Sequence, residues 1–280
     1  MFLTVNGVPL FCRLQGPASA RPVAFLHGFP FSHEMWLPQL EAMGDSVRSI
    51  AYDLRGHGSS HVGDGQYTLE DHVDDLRGIL DELAIRRAVV VGLSMGGYVA
   101  LRALERHPER FSGAVLCDTR SEADSDEGRL RRAEMMRSVK SDGTRPFADA
   151  FLRSVFAQES FHRRPDAVRS AREMIERNSP LGIAGTLLAL AARTDTTPSL
   201  ARIRVPVMVL VGEQDALTPY ACARDLSDRI PGSELHIIRR AGHLSNLENP
   251  GEFNRRLLEF LDRTADRPRG GTGSSPQKTV

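Results

Sequence analysis

A nucleophile, a base and an acid can be picked out of this chain by residue type and setting. Ser94 stands in Val89-Val90-Val91-Gly92-Leu93-Ser94-Met95-Gly96-Gly97. There a β-branched apolar run meets a G-x-S-x-G turn, and the helical pattern Tyr98, Val99, Ala100, Leu101, Ala103, Leu104 follows at once. A strand that reverses directly into a helix forces its turn residue to positive φ. Side chains two positions before and after would collide, which predicts glycine at 92 and 96. The hydroxyl is thereby presented at the turn, and the N–H groups opening the next helix face a developing oxyanion. A serine hydroxyl is a poor nucleophile until a base takes its proton, and the base needs a third group to fix its tautomer. Chain order supplies both, with Asp215 and His243 each in a loop just after an apolar strand pattern. Asp118, after the strand pattern Ala114–Cys117, is a second candidate for the acid.

The elements that must position these groups alternate in type. Phe2–Val5 and Val8–Leu14 flank Asn6-Gly7, a hairpin signal. Strand patterns follow at Val23–Leu26, Val47–Leu54, Val89–Leu93, Ala114–Cys117, Val205–Val211 and Leu235–Ile238. Helices are predicted over Glu34–Met43, from Thr68 onward with a Thr68/Asp71 capping box, after Ser94 to about His107, after Pro219 to about Arg229, and from Pro250 with Asn249 as its cap. Thr119–Thr197 carries no strand signal. It reads as about four helices with breaks at Gly143, Pro146, Pro165 and Pro180. Strands alternating with helices predict a mostly parallel sheet covered on both faces, which binds ligands at the strands' carboxyl ends. His27, Asp53, Ser94, Asp118, Asp215 and His243 all fall at such ends.

Composition narrows the function classes. At 280 residues the chain is long enough for a full core, and its 36 acidic and 36 basic residues balance. That balance argues against nucleic-acid or membrane partners. Three distant cysteines in apolar settings read as buried thiols of a reducing compartment, with Cys117 in strand core. There is no signal-peptide pattern and no apolar run of spanning length, so the expectation is a cytoplasmic protein, monomeric or homodimeric.

Four stretches in register give a resemblance. His27-Gly28-Phe29-Pro30, Asp53-Leu54-Arg55-Gly56-His57-Gly58-Ser59-Ser60, Gly212-Glu213-Gln214-Asp215 and Ala241-Gly242-His243 join the serine turn. With them the chain from about residue 5 to 263 resembles the α/β-hydrolase superfamily. Met35-Trp36-Leu37-Pro38-Gln39 and Gly242-His243-Leu244-Ser245-Asn246-Leu247-Glu248 are similar to 3-oxoadipate enol-lactonases within it. The resemblance implies an α/β-hydrolase fold with a mostly parallel sheet of about eight strands. It divides the chain into core 1–118, helical cap 119–197 and core 198–263, while the polar composition of 264–280, rich in Gly, Ser and Pro, predicts a disordered tail. It implies Ser94, His243 and Asp215 as a triad, with Asp118 kept as the rival acid because some members place it there. Backbone N–H groups of Phe29 and Met95 would form the oxyanion hole, and His27 would hydrogen-bond the loop carrying the first. Phe29, Met95, Leu217 and Leu244 would line an apolar substrate pocket, with Phe31, Phe151 and Phe156 either joining that lining or standing as plain core. His57 reads as turn architecture, and the arginine-rich cap as a solvated surface with an arginine available to a substrate carboxylate.

The function so implied is hydrolysis of a small carboxylic ester or lactone through an acyl-enzyme, with no metal or organic cofactor. Carbon–carbon bond hydrolysis or peracid formation on the same triad is the nearest alternative. A hydrolase-fold ligand receptor that uses its pocket only for binding is the other.

Overall fold

The computed structural model describes residues 1–265. Eight strands form one sheet: β1 (Phe2–Val5), β2 (Val8–Gln15), β3 (Pro22–Leu26), β4 (Arg48–Tyr52), β5 (Ala88–Leu93), β6 (Phe111–Cys117), β7 (Val207–Gly212) and β8 (Glu234–Ile238). Their spatial order is β1-β2-β4-β3-β5-β6-β7-β8. The β1–β2 and β2–β4 pairs are antiparallel, and every later pair is parallel. Asn6 and Gly7 take φ of 51° and 76°, as a two-residue I′ hairpin turn between β1 and β2 demands. The parallel strands β5 and β7 are buried along their whole length, which is why they read as unbroken apolar runs rather than alternating ones.

The helices are α1 (Leu37–Met43), α2 (Leu69–Glu82), α3 (Met95–Arg106), α4 (Asp126–Asp142), α5 (Thr144–Val155), α6 (Ser160–Arg163), α7 (Pro165–Arg177), α8 (Pro180–Ala191), α9 (Tyr220–Arg229), α10 (Ser245–Glu248) and α11 (Pro250–Ala265). The predicted Glu34–Met43 helix is a 3-10 turn, His33–Trp36, running into α1. The Thr68/Asp71 capping box is formed. Asn249 caps the last helix, its Oδ1 accepting from Glu252 N–H at 3.3 Å. That helix runs through Thr264 and Ala265, two residues past the expected start of the tail, and the rest of that tail lies outside the described residues.

Between β6 and β7 the chain makes five helices, α4–α8, where about four were expected. The extra one is the single turn α6. Pro165 and Pro180 stand at the first positions of α7 and α8, so they start helices. Pro146 lies inside the first turn of α5, where a missing N–H costs nothing, and so it is no break. Leu188, on the outer side of α8, is 53 % exposed. Of α4 only Val139 is buried; the helix packs against α8, and its Gly128, Arg131, Arg132 and Met135 line a cavity.

Candidate active site

The serine turn shows the strain its spacing predicted. Ser94 has φ 53° and ψ −110°. A Cβ on Gly92 would lie 2.3 Å from Gly96 O, and one on Gly96 would lie 2.1 Å from Leu26 O. A methyl at either position would thus strike backbone, the atoms least able to move. The strain is held by ties on both sides. Ser94 N–H donates to Cys117 O at 2.9 Å, and Thr119 Oγ1 donates to Ser94 O at 2.8 Å. The Ser94 side chain makes no capping bond to α3, so its hydroxyl is not consumed by the helix it precedes. Met95 opens α3, and a first-turn N–H has no intrahelical acceptor.

Asp215 and His243 meet across two loops. The Asp215 carboxylate receives His243 Nδ1 at 2.8 Å on Oδ2. Its other oxygen accepts the Leu217 and Thr218 N–H groups at 2.9 and 3.0 Å. Thr218 Oγ1 donates to Oδ2 at 2.7 Å and lies 3.2 Å from His243 Nδ1. Burial alone would raise the Asp215 pKa, but the imidazole and the Thr218 donors outweigh it and hold the carboxyl below its ordinary range. A charged acceptor at Nδ1 places the ring's proton there and leaves Nε2 free to act as base.

Asp118 is placed otherwise. It is fully buried, with Gly212 N–H donating to Oδ1 at 2.7 Å and the Ser245 hydroxyl donating to Oδ2. Burial and the neighbouring Asp215 charge push its pKa well up. It ties the loop after β7 to the loop after β8, and its partners do not include the histidine.

His27 spans the two loops beside the serine. Nδ1–H donates to Gly28 O at 2.9 Å, and Nε2 accepts Leu54 N–H at 2.9 Å. Burial drives its pKa down to about 4, so the ring is neutral and that tautomer stands. Phe31 N–H closes the same loop on Gly28 O at 2.9 Å, and Asn178 Nδ2 donates to Pro30 O at 2.7 Å. Among the described residues no acceptor takes the Phe29 N–H. The Asp53–Ser60 turn is architecture. Asp53 accepts from His33 N–H and Nδ1, both at 2.7 Å, and from Ser59 N–H at 2.8 Å, while Arg55 grips Asp75 at 2.7 Å. His57 is buried behind Phe29 and is not part of the cavity lining.

A cavity of about 460 Å³ collects the chemistry. Ser94, His243, Met95 and Phe29 line it, together with Thr218, Leu217 and Phe151. Phe29 packs edge-on to Phe151 at 5.7 Å, and Phe151 stacks on Phe147 at 5.6 Å. Phe31, Phe156 and Leu244, expected in the pocket, lie elsewhere. Phe31 is 1 % exposed behind Phe151, Phe156 packs on Phe161, and Leu244 is fully buried under the histidine loop. All three fill core that sequence alone cannot tell from lining. Sequence reasoning also missed the outer lining, where Tyr98, Arg120, Asp124, Arg131 and Arg132 stand. Asp124 is shared by Arg132 and Arg193, and the Arg193 guanidinium lies 4.4 Å over the Tyr98 ring. No spacing announces such a rim, although Thr218 could have been read from its place three residues after Asp215.

This geometry meets known proteins at several points. The alpha/beta hydrolase fold family matches residues 21–250. A 3-oxoadipate enol-lactonase 2 of Acinetobacter baylyi is 30% identical over 261 residues, 93% of this chain and 96% of that protein. The structure of a thermophilic esterase from Thermogutta terrifontis superposes with a TM-score of 0.90 at 33% identity, covering 94% of this chain and 98% of the other. The enol-lactonase from Burkholderia xenovorans LB400 does so with a TM-score of 0.88 at 30% identity, over 94% and 100%. Sheet order, serine turn and matched span agree, and the chain belongs to the alpha/beta hydrolase fold family.

Proposed function

We propose that the protein is a serine hydrolase of small carboxylic esters or lactones. The observation that carries this reading is the meeting of Ser94 and His243 in one cavity, with Asp215 held 2.8 Å behind the imidazole. Ser94 Oγ attacks the carbonyl carbon while His243 Nε2 takes its proton. The N–H groups of Met95 and Phe29 receive the oxyanion, and His243 returns the proton to the leaving alcohol oxygen. In a lactone that oxygen stays tethered to the acyl group. Water, deprotonated by His243, then cleaves the acyl-enzyme. Asp215 keeps the Nδ1 proton in place and stabilises the imidazolium at each stage. The helices α4–α8 act as a cap over the cavity. The enol-lactonase and esterase relatives support ester and lactone chemistry. Arg120 and Arg131 on the lining favour substrates that carry a carboxylate away from the scissile bond.

The test is turnover of p-nitrophenyl acetate and butyrate, several lactones and the half-ester of a dicarboxylic acid, by wild type and Ser94→Ala. The expected result is turnover in the wild type and a loss of about 10⁴-fold or more in the variant, with the fold intact by circular dichroism. Equal, slow rates in both proteins would overturn the assignment of Ser94.

A further inference from the structure

Glu248 is the one charged side chain from the histidine stretch that the proposed chemistry leaves unused, and it is fully buried. Among the described residues no cation pairs with its carboxylate. Four donors converge on it instead. Oε1 accepts Gly242 N–H at 2.9 Å and Leu244 N–H at 3.2 Å. These are the peptide groups on either side of His243. Oε2 accepts Ala157 N–H at 2.9 Å and the Ser160 hydroxyl at 2.6 Å, both in the stretch between α5 and α7. A third tie crosses the same seam, from His243 N–H to Val155 O at 2.8 Å. One carboxylate therefore has one oxygen on the backbone that carries the imidazole and the other on the root of the helical segment. A Cβ at position 242 would come within 2.6 Å of Ala157 N and 3.1 Å of Glu248 Oε1, so the seam is packed too closely there for any side chain.

We propose that Glu248 is a positioning residue for the hydrolysis, setting the place of His243 relative to Ser94 by holding the backbone on both sides of it and locking it to the cap. The inference rests on the serine-hydrolase reading. Asp215 fixes only the rotation and tautomer of the ring, through Nδ1. The place of the Cα from which the ring hangs is set by the peptide groups that Glu248 grips. A shift of this backbone by a fraction of an ångström moves Nε2 against the serine hydroxyl, and general-base catalysis is steep in that distance. Substrate contacts lie on other residues, so the change falls on kcat and not on KM.

The experiment compares wild type with E248A, E248D and E248Q in the full-length protein. Each is measured for kcat and KM on the best ester of the panel, for Tm, and for the low-field proton resonance of the His243 Nδ1–H. Glutamine keeps the shape and one oxygen for the Gly242 and Leu244 donors, while its amide nitrogen can donate to the Ser160 oxygen but strands the Ala157 N–H that Oε2 accepts in the wild type. Aspartate keeps the charge but is one methylene too short to span both sides. The expected result is a kcat loss of about 10- to 100-fold in E248A and a smaller loss in E248D. KM stays the same, the resonance is shifted or broadened in both, and E248Q, which keeps an acceptor for the two N–H groups flanking His243, retains more of kcat and of the wild-type signal than E248A. If E248A does not fold, E248D carries the same test. A lowered Tm with kcat and the resonance unchanged in the folded variants would overturn the proposal and leave Glu248 a structural pin. Failure of the underlying reading shows separately, as wild-type turnover indifferent to Ser94→Ala. The resonance still decides the role of Glu248 in that event.

Discussion

Asp215 and Asp118 are both buried at the carboxyl edge of the sheet, and their neighbours separate them. Asp215 lies 2.8 Å from His243 Nδ1 and takes three further donors from Leu217 and Thr218. Asp118 spends both oxygens on Gly212 N–H and the Ser245 hydroxyl. Asp215→Asn keeps the shape but can present an N–H to Nδ1, which turns the imidazole into the wrong tautomer. The expected loss in kcat is about 10⁴-fold, read in a steady-state assay. Asp118→Asn should leave kcat within about tenfold of wild type while lowering the unfolding midpoint. The reverse ranking would hand the acid role to Asp118. From the sequence both residues looked alike, a carboxylate after an apolar strand. What distinguishes them is the direction each side chain takes, which depends on loops that close only in the folded protein.

At the scale of elements, the turn between β5 and α3 was legible because its constraint is local. Strand, glycine, serine, glycine and helix sit within one short stretch, and the clash that excludes a side chain at 92 is with Gly96 O at 2.3 Å, whereas at 96 the folded protein adds the neighbouring strand's end, Leu26 O, at 2.1 Å. Gly96→Ala is expected to cost about 3 kcal/mol or more of stability, measured by urea unfolding, with soluble yield falling alongside. The attachment of α4–α8 to the core was not legible. Asn178, between α7 and α8, donates to Pro30 O at 2.7 Å and accepts Gly58 N–H at 2.7 Å. Backbone groups of two distant loops, the buried Pro30 carbonyl and the amide of the exposed Gly58, thereby find a partner on the helical segment. Asn178→Ala strands the buried Pro30 carbonyl, and about 1–3 kcal/mol of stability should go with it. A change under about half a kcal/mol, typical of a surface site, would show that these groups find other partners. An asparagine before a serine and a proline reads in sequence as a helix boundary and nothing more.

The whole molecule carries a pH dependence that its balanced charge conceals. His27, His57 and His72 are buried, and burial lowers the pKa of each, to about 4 for His27 and about 3 for His72. A histidine whose pKa is lower folded than unfolded binds its proton preferentially in the unfolded chain. Its contribution is intact above the unfolded value of about 6.5 and is lost as pH falls toward the folded one. For His72 the loss between pH 8 and pH 4.5 should be about 2–3 kcal/mol. Neither of its ring nitrogens has a hydrogen-bond partner among the described residues. His72→Leu should therefore be at least as stable at pH 8 and lose less on acidification, as denaturant midpoints at the two pH values will show. Equal pH slopes would remove His72 from the account. The sequence by itself determined the alternation of strand and helix, the strained serine turn and the order of serine, acid and histidine. Each of these follows from rules acting over a few residues, namely side-chain period, backbone sterics and capping. Only the tertiary structure decided which aspartate faces the imidazole and that Phe31, Phe156 and Leu244 pack as core instead of lining. It also decided that one carboxylate, Glu248, joins the histidine's backbone to the helical segment. Those outcomes turn on which groups, tens to hundreds of residues apart, come within hydrogen-bonding or van der Waals reach, and no local pattern along the chain encodes that distance.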